Sequence, residues 1–422
     1  MSTTANDRAL DLCRYVDASP SPYHAVQESI RRLTAVGFTE LHLDDPPTSP
    51  GRRFLRSGGA LVAWSTEDRP IDAPVRIVAA HTDSPNLRVK PRPDHADHGF
   101  QRVAVEVYGS PLLNSWLDRD LGLSGRVMVR DGDPSTVREV LIREDRPVAR
   151  IPQLAIHLDR GVNENGLVLD PQSDLAPVVG LGDKNLGSFE RILADLAGVD
   201  TTDVLAWDAM FHEVVSATLA GLNGEFVSAP RLDDLLSCHA GTEALVAASD
   251  AASAVVPVLA LFDHEEVGSQ SPTGAAGPLL PRVLSRHLGQ TERPIDSSLV
   301  LSVDGAHCTH PSRSHRHDPE HSVRLNAGPV LKINAQARYA SDAPGLATVR
   351  LAAERAGISL QSFVSRNDMA CGSTIGPALS TRTGLRTVDL GVAQLAMHSA
   401  REFCGSSDPG DLRTLLIELL TY

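Results

Sequence analysis

Four apolar runs of this chain break off within a few residues onto a histidine or a carboxylate, and a fifth break sets two aspartates at the start of a helix. Val256 to Phe262 runs into Glu265 and Glu266 and stops at Gly268. VRIVAAHTDS ends on His81 and Asp83, SSLVLSVDGAH on Asp304 and His307, and LRTVDLGVAQLAMHS reaches His398 through a loop. VSAPRLDDLL brings Asp233 and Asp234 to a proline-preceded turn at the head of a helical segment. Short apolar runs separated by stretches of helical period predict an α/β chain, with a mixed central sheet flanked by helices. In open sheets of that kind the chemistry lies beyond the carboxyl ends of the strands.

Those ends carry His, Asp, Glu, Asp and His, a donor set for a hydrolytic metal site. Carboxylate and neutral imidazole suit Zn, with Mn or Co as alternatives, and the absence of paired thiolates argues against a structural zinc knot. A pair of ions needs one carboxylate that bridges them and further ligands on each. Asp233 is the candidate bridge, His81 and Asp304 would complete one ion, and Glu266 and His398 the other. Glu265, beside a ligand but pointing the other way on an extended segment, is left as general base. Asp83, two residues past His81, is placed to accept the second imidazole N–H and fix its tautomer. Singly, each of these residues reads equally as a turn or cap residue, and Asp233 with Asp234 as a helix cap; their joint occurrence at successive element ends favours the site.

The 422 residues allow one large domain or two. From Val75 to Ala80 the chain reads as a strand buried on both faces. After Lys90 the composition changes, and pieces such as RVAVEVYG, SGRVMVR and EVLIRED alternate in β fashion between turns. The region 91–229 therefore reads as a β-rich insertion, leaving 1–90 and 230–422 as a discontinuous catalytic domain. Helices are expected over Asp7 to Val16, Tyr23 to Val36 with Ser21 as cap, Leu235 to Ala248, Leu346 to Ala356 and Asp411 to Leu420. A formal charge of −14 excludes nucleic acid and anionic membrane as natural partners. Five cysteines without a CxxC pair, and an N-terminal segment with neither a basic nor an apolar leader region, predict a reduced, cytoplasmic protein with no membrane span.

At finer grain, AAHTDSPNLRVK, DRDLGLSGRV, IPQLAIHL, APRLDDL, FDHEEVGSQS, GPVLKINAQARYAS, CGSTIGP and QLAMHSARE closely resemble the aspartyl aminopeptidase family. The resemblance runs over nearly the whole chain, including the insertion. It implies a zinc-peptidase-like fold with an inserted dimerisation domain. It also implies two metal ions on His81, Asp233, Glu266, Asp304 and His398, with Glu265 as base. Members remove an N-terminal Asp or Glu from peptides, and the position matching Lys332 sits in the pocket for the acidic side chain. Read from its own strand alone, Lys332 serves as well for an edge lysine that blunts pairing. The resemblance further puts His307 and Tyr339 near bound substrate. It sends His157 into a neighbouring subunit's site, within a shell built from dimers, a tetrahedral dodecamer.

Two departures stand out. His264 occupies a position where the family commonly has Asn, and RSHRHDPEHS, with His315, His317 and His321, is unusually rich in histidine. The rival readings are a same-scaffold metallopeptidase or deacylase of other selectivity, and an inactive shell-forming protein.

Overall fold

The computed structural model describes residues 3–46, 50–183, 187–289 and 295–422, and the chain divides into two compact units. The first comprises the chain up to Asp83, Ala217–Met397 and Glu402–Tyr422; the second comprises Ser84–Ser216 and His398–Arg401. The division thus falls at 84 and 216 rather than 91 and 229, and a short return near the C-terminus groups with the second unit. Sequence composition marks where the polar, proline-rich stretch begins, whereas compactness follows contacts that the preceding residues already make.

A nine-stranded mixed sheet forms the spine of the first unit. Its strands are β1 (Thr39–Glu40), β2 (Arg52–Ser57), β3 (Ala60–Ser65), β4 (Val75–His81), β5 (Val256–Phe262), β6 (Leu299–Val303), β7 (Val330–Lys332), β8 (Gln361–Phe363) and β9 (Arg386–Gly391). Their spatial order is β1-β2-β3-β5-β4-β6-β9-β7-β8. The central four, β5-β4-β6-β9, are mutually parallel, so their carboxyl ends share one rim. β4, β5 and β6 are buried along almost their whole length, as near-continuous apolar runs covered on both faces must be.

Alternation sorts these side chains into two cores. Leu259, Leu261, Leu301, Val388 and Leu390 face one layer with residues of the helices Thr3–Ala18, Leu232–Asp250 and Asp408–Thr421. Val258, Ala260, Phe262, Ile77 and Val300 face the other, with Leu280, Val283 and Leu379. Each fully buried leucine or valine contributes about 1.5–3 kcal/mol, which fixes the register of the strands and hence which residues reach the rim. A separate five-stranded sheet, which includes Phe226–Ala229, Ala393–Leu395 and Glu402–Gly405, belongs to the same unit.

The helices fall where the period predicts, with shifted ends. Ala343–Ala356 stops at Gly357, whose φ of 67° is the left-handed turn that releases a helix. Ser21 does not cap Pro22–Thr34: its Oγ instead pairs with Nδ1 of His24 at 2.7 Å. A nearby imidazole competes successfully for a hydroxyl that sequence pattern assigns to the backbone.

The second unit is built on a six-stranded antiparallel sheet, with Asp133–Ala149 at one edge and Val178–Leu181 at the other. Its core gathers Leu87, Val105, Leu121, Leu123, Phe211 and, from the helix Ser188–Ala197, Phe189 and Leu193. The strands Leu121–Asp131 and Asp133–Ala149 are longer than the apolar pieces within them, because ladder hydrogen bonds carry them through polar residues. No helix among the described residues is long and apolar enough to cross a membrane.

Candidate metal centre

The rim of β4, β5 and β6 collects most of the residues singled out from sequence. His81 closes β4, paired in register with Phe262 at the end of β5. Glu265 and Glu266 follow in a short 3-10 turn, Glu265–Val267, flanked by left-handed His264 and Gly268. Asp304 follows β6, and its backbone N–H donates to the Leu390 carbonyl at 3.0 Å. Gly391 makes room for this crossing, since a Cβ there would stand 1.6 Å from the Asp304 carbonyl oxygen.

Asp233 and Asp234 enter from the opposite layer. They sit in the first turn of Leu232–Asp250 with non-helical backbone angles, and the peptide bond between them is cis. The backbone N–H of Asp233 donates to Oε2 of Glu402 at 2.8 Å. Oδ2 of Asp234 accepts the backbone N–H of His81 at 3.2 Å. These aspartates are therefore not simple helix caps; both carboxyl groups are buried and turned to the rim.

The imidazole of His81 is the hub. Its Nε2 lies 3.2 Å from Oδ1 of Asp233 and 3.8 Å from Oδ1 of Asp304. Donor atoms of His81, Asp234 and Asp304 lie within 4.8 Å of one another, and so do those of His81, Glu265 and Glu266. Burial by itself lowers a histidine's pKa, but the carboxylates of Asp233, Asp304 and Asp83 outweigh it and hold His81 well above its ordinary range. Burial drives Asp234 the other way for a carboxyl, far up, with the charges of Asp304 and Asp233 adding to the shift. Glu265 is pushed up to about 7, chiefly by burial, with Asp304, Asp233 and Asp83 reinforcing and His81 opposing.

Asp83 does something other than the expected contact. Nδ1 of His81 pairs with the backbone carbonyl of Asp83 at 3.0 Å, while the carboxylate stands at 3.4 Å. That carboxylate accepts two backbone N–H groups instead, Glu265 on Oδ1 at 3.0 Å and Glu266 on Oδ2 at 3.1 Å. Two converging amides outcompete one imidazole because the tight turn at the glutamates has no partner of its own for them.

Lys332, last residue of β7, is buried, and β7 lies between β9 and β8 rather than at an edge. The edge role is thereby excluded. Its Nζ stands 3.3 Å from Oδ2 of Asp304 and 5.5 Å from the centroid of the Tyr339 ring. Burial opposes its charge, but Asp304 and then Asp389 outweigh that and keep its pKa above the ordinary lysine value. His307 and Tyr339 both turn a ring edge to Phe363, at 5.7 and 6.4 Å between centroids. Desolvation, helped by the Lys332 ammonium, lowers the pKa of His307, and burial raises that of Tyr339.

His398 and His157 belong to the second unit. Nδ1 of His398 pairs with the Ser110 carbonyl at 3.0 Å, which favours the tautomer whose Nε2 carries a lone pair. His157 is exposed, in a segment that also exposes Leu154, Ile156 and Leu158.

The donor set at the rim fits a divalent cation. Three buried aspartates and two half-buried glutamates crowd one histidine, and Oδ1 of Asp234 is buried without a donor. Such a gathering of carboxylates is costly unless cations share it. Imidazole with carboxylate oxygen is a zinc-type set. Elsewhere Asp11, His239 and Glu243 form a similar cluster, but there the Arg32 guanidinium occupies the cation's place, 2.7 Å from Asp11 and 2.9 Å from Glu243. The histidine-rich segment makes local bonds, His317 to the His310 backbone at 3.1 Å and His321 to Asp318 at 2.8 Å. Among the described residues, none of its histidines joins a three-donor cluster.

Sequence reading assigned no role to Asp234, Glu402 or Asp389, all buried. Asp234 was visible beside Asp233, and Glu402 within QLAMHSARE. Asp389 carries one local signal, a carboxylate inside an apolar strand, which costs free energy unless it is bonded.

A family model described as aminopeptidase I zinc metalloprotease (M18) matches residues 15–418. A probable M18 family aminopeptidase 2 of Streptomyces coelicolor is 51% identical over 423 residues, covering 97% of this chain and 96% of its own. A chain in the cryo-EM structure of the Ape4 and Nbr1 complex superposes with a TM-score of 0.95 at 34% identity, covering 99% of this chain and 86% of that one. The structure of the S. cerevesiae mApe1 dodecamer matches with a TM-score of 0.84 at 28% identity, covering 98% and 96%.

Proposed function

The chain belongs to the M18 family of zinc metallo-aminopeptidases, and from that membership we propose that it removes unblocked N-terminal Asp or Glu residues from peptides. The ligands proposed are His81, Asp233, Glu266, Asp304 and His398, holding two divalent ions, with zinc the metal that the donor set and the family favour. Bound there, the ions would polarise the scissile carbonyl and acidify the attacking water.

The chain's own groups do the rest. Glu265 takes a proton from the attacking water and delivers it to the leaving amine, and Asp83 holds the backbone of Glu265 and Glu266 in place at the rim. The carboxylates at the rim receive the substrate's α-ammonium. Lys332 pairs with the acidic side chain of the first residue, and His307 and Tyr339 flank it.

Selectivity rests on one observation: an ammonium buried next to the carboxylate cluster, where an apolar residue would otherwise be the stable choice. An acidic substrate side chain would match it, and an apolar one would leave it desolvated. Hydrolysis rates of Asp-, Glu-, Leu- and Lys-anilides test this, and a leucine preference would remove the role given to Lys332. A second reading draws on the same 3.3 Å pair, with Lys332 serving only as the counter-charge of Asp304. In that case neutral and acidic substrates would be cleaved alike.

Exposed Leu154, Ile156, Leu158 and Val168, with a cavity of about 570 Å³ lined in part by Leu154 and Val168, support association through the second unit. By analogy with the mApe1 dodecamer we propose a homododecamer built from dimers, in which His157 contributes to a neighbour's site. Sedimentation of the zinc-loaded protein, compared with His157→Ala activity, checks both points.

A further inference from the structure

Asp389 is fully buried near the end of β9, yet it is none of the candidate ligands. Its Oδ1 accepts the hydroxyls of Ser302, at 2.6 Å, and Thr374. Its Oδ2 accepts the backbone N–H of Ala340, and its own N–H donates to Oγ of Ser341 at 2.9 Å. At Gly376 the chain passes so close that a Cβ would stand 2.4 Å from both carboxylate oxygens. One side chain thereby ties two loops, 339–341 and 374–376, to the sheet.

The strand register says where those loops are held. β9 pairs with β6 so that Asp389 lies opposite Ser302, and antiparallel with β7 so that Leu390 lies opposite Leu331. The next step in that register sets Lys332 beside Asp389, with both side chains on one face. The first loop carries Tyr339, whose ring centroid stands 5.5 Å from the Lys332 ammonium. Cys371, just ahead of the second loop, packs on the same apolar cluster as Tyr339, and the Ser373 hydroxyl donates to the Arg338 carbonyl at 3.2 Å.

We propose that Asp389 is a positioning residue for substrate: by clamping these two loops beside Lys332, it shapes the pocket that receives the side chain of the N-terminal residue. Its hydrogen bonds go to neither the reacting atoms nor the proposed ligands; it acts through Tyr339 and Lys332. The inference rests on the reading of Lys332 given above. A packing role alone would be filled by an apolar side chain, whereas three donors converging on one carboxylate require an acceptor there.

The test uses the full-length, zinc-loaded enzyme as Asp389→Asn and as Thr374→Val, which removes a single tie. Zinc content, assembly size, and KM and kcat are measured on Asp-, Glu- and Leu-anilides. We expect Asp389→Asn to raise KM for the Asp substrate about tenfold or more, with kcat within about threefold and zinc content unchanged, and Thr374→Val to raise KM about threefold. An unchanged KM in both variants overturns the proposal, as does a loss of kcat of equal size on acidic and neutral substrates at constant KM. Should Asp389→Asn fail to assemble, Thr374→Val decides alone, and a wild-type KM there is the overturning result. If the wild-type enzyme prefers leucine, the reading of Lys332 fails, but Asp389→Asn should still raise KM on the leucine substrate. The two failures therefore give different results.

Discussion

Nζ of Lys332 and Oδ2 of Asp304 stand 3.3 Å apart, both in the interior, at the ends of strands that are separated in the sheet by β9. Replacing Lys332 by Met keeps most of the volume and removes the charge. We expect kcat/KM for an Asp-anilide to fall about 100-fold or more while that for Leu-anilide changes by less than about fivefold. Paired steady-state assays on the two substrates read the ratio directly; equal losses on both would assign Lys332 to Asp304 alone.

Glu265→Gln keeps size and removes the base. Turnover should drop by about 100- to 10,000-fold with zinc content and assembly unchanged, because the neighbouring Glu266 and not Glu265 is the proposed ligand. Metal analysis beside an anilide assay checks it, and residual activity near wild type would send the base assignment elsewhere.

Asp83→Ala leaves the N–H groups of Glu265 and Glu266 without their acceptor. Buried amides left unpaired cost about 1–3 kcal/mol each, and a loosened glutamate turn should weaken zinc binding about 10- to 100-fold. Competition with a zinc-sensitive dye measures the affinity. Asp83→Asn, which keeps one acceptor oxygen, should fall between wild type and Ala.

Chelation should lower the thermal midpoint, and zinc should restore it, since removing cations leaves three buried aspartates and two glutamates to repel one another. Differential scanning fluorimetry with and without chelator, followed by titration of zinc, reads this. A midpoint indifferent to chelator would mean that the rim carries no ion.

Stability should also record Asp408, which opens the C-terminal helix and accepts the backbone N–H groups of Asn326 at 2.7 Å and Gly328 at 3.1 Å. Burial pushes its pKa up to about 6. A carboxyl raised in the folded state contributes stability that is complete below its unfolded value of about 3.9 and is lost as pH rises through the folded one. Asp408→Asn has no proton to lose, so apart from a constant offset its stability relative to wild type should improve between pH 4 and 6 and then level off. Urea unfolding at half-unit pH steps tests the slope, and parallel curves would refute it.

The rim was legible because its signals are local. An apolar run such as Val256 to Phe262 announces a strand by itself, and a Glu pair and a glycine immediately after it announce a loop with chemistry. His81, Asp304 and the two glutamates were reachable in that way. The long strands of the second unit were only partly legible, since their polar ends are held by ladder partners rather than by burial.

What lies across the chain was not. Asp83 and Glu265 are 182 residues apart, and nothing near either says that a carboxylate will choose two amides over an imidazole. The same holds for Asp389, whose partners Ser302 and Thr374 come from other segments.

The amino-acid order thus determined which kinds of donor stand at the ends of which elements, because hydrophobic period and turn chemistry act over a few residues. Only the folded chain decided that Lys332 is interior rather than at an edge, that Asp234 as well as Asp233 faces the rim, and which acceptor each buried N–H takes. Those outcomes depend on strand order and on competition among groups from distant segments for the same few ångströms of space, and no local pattern encodes either.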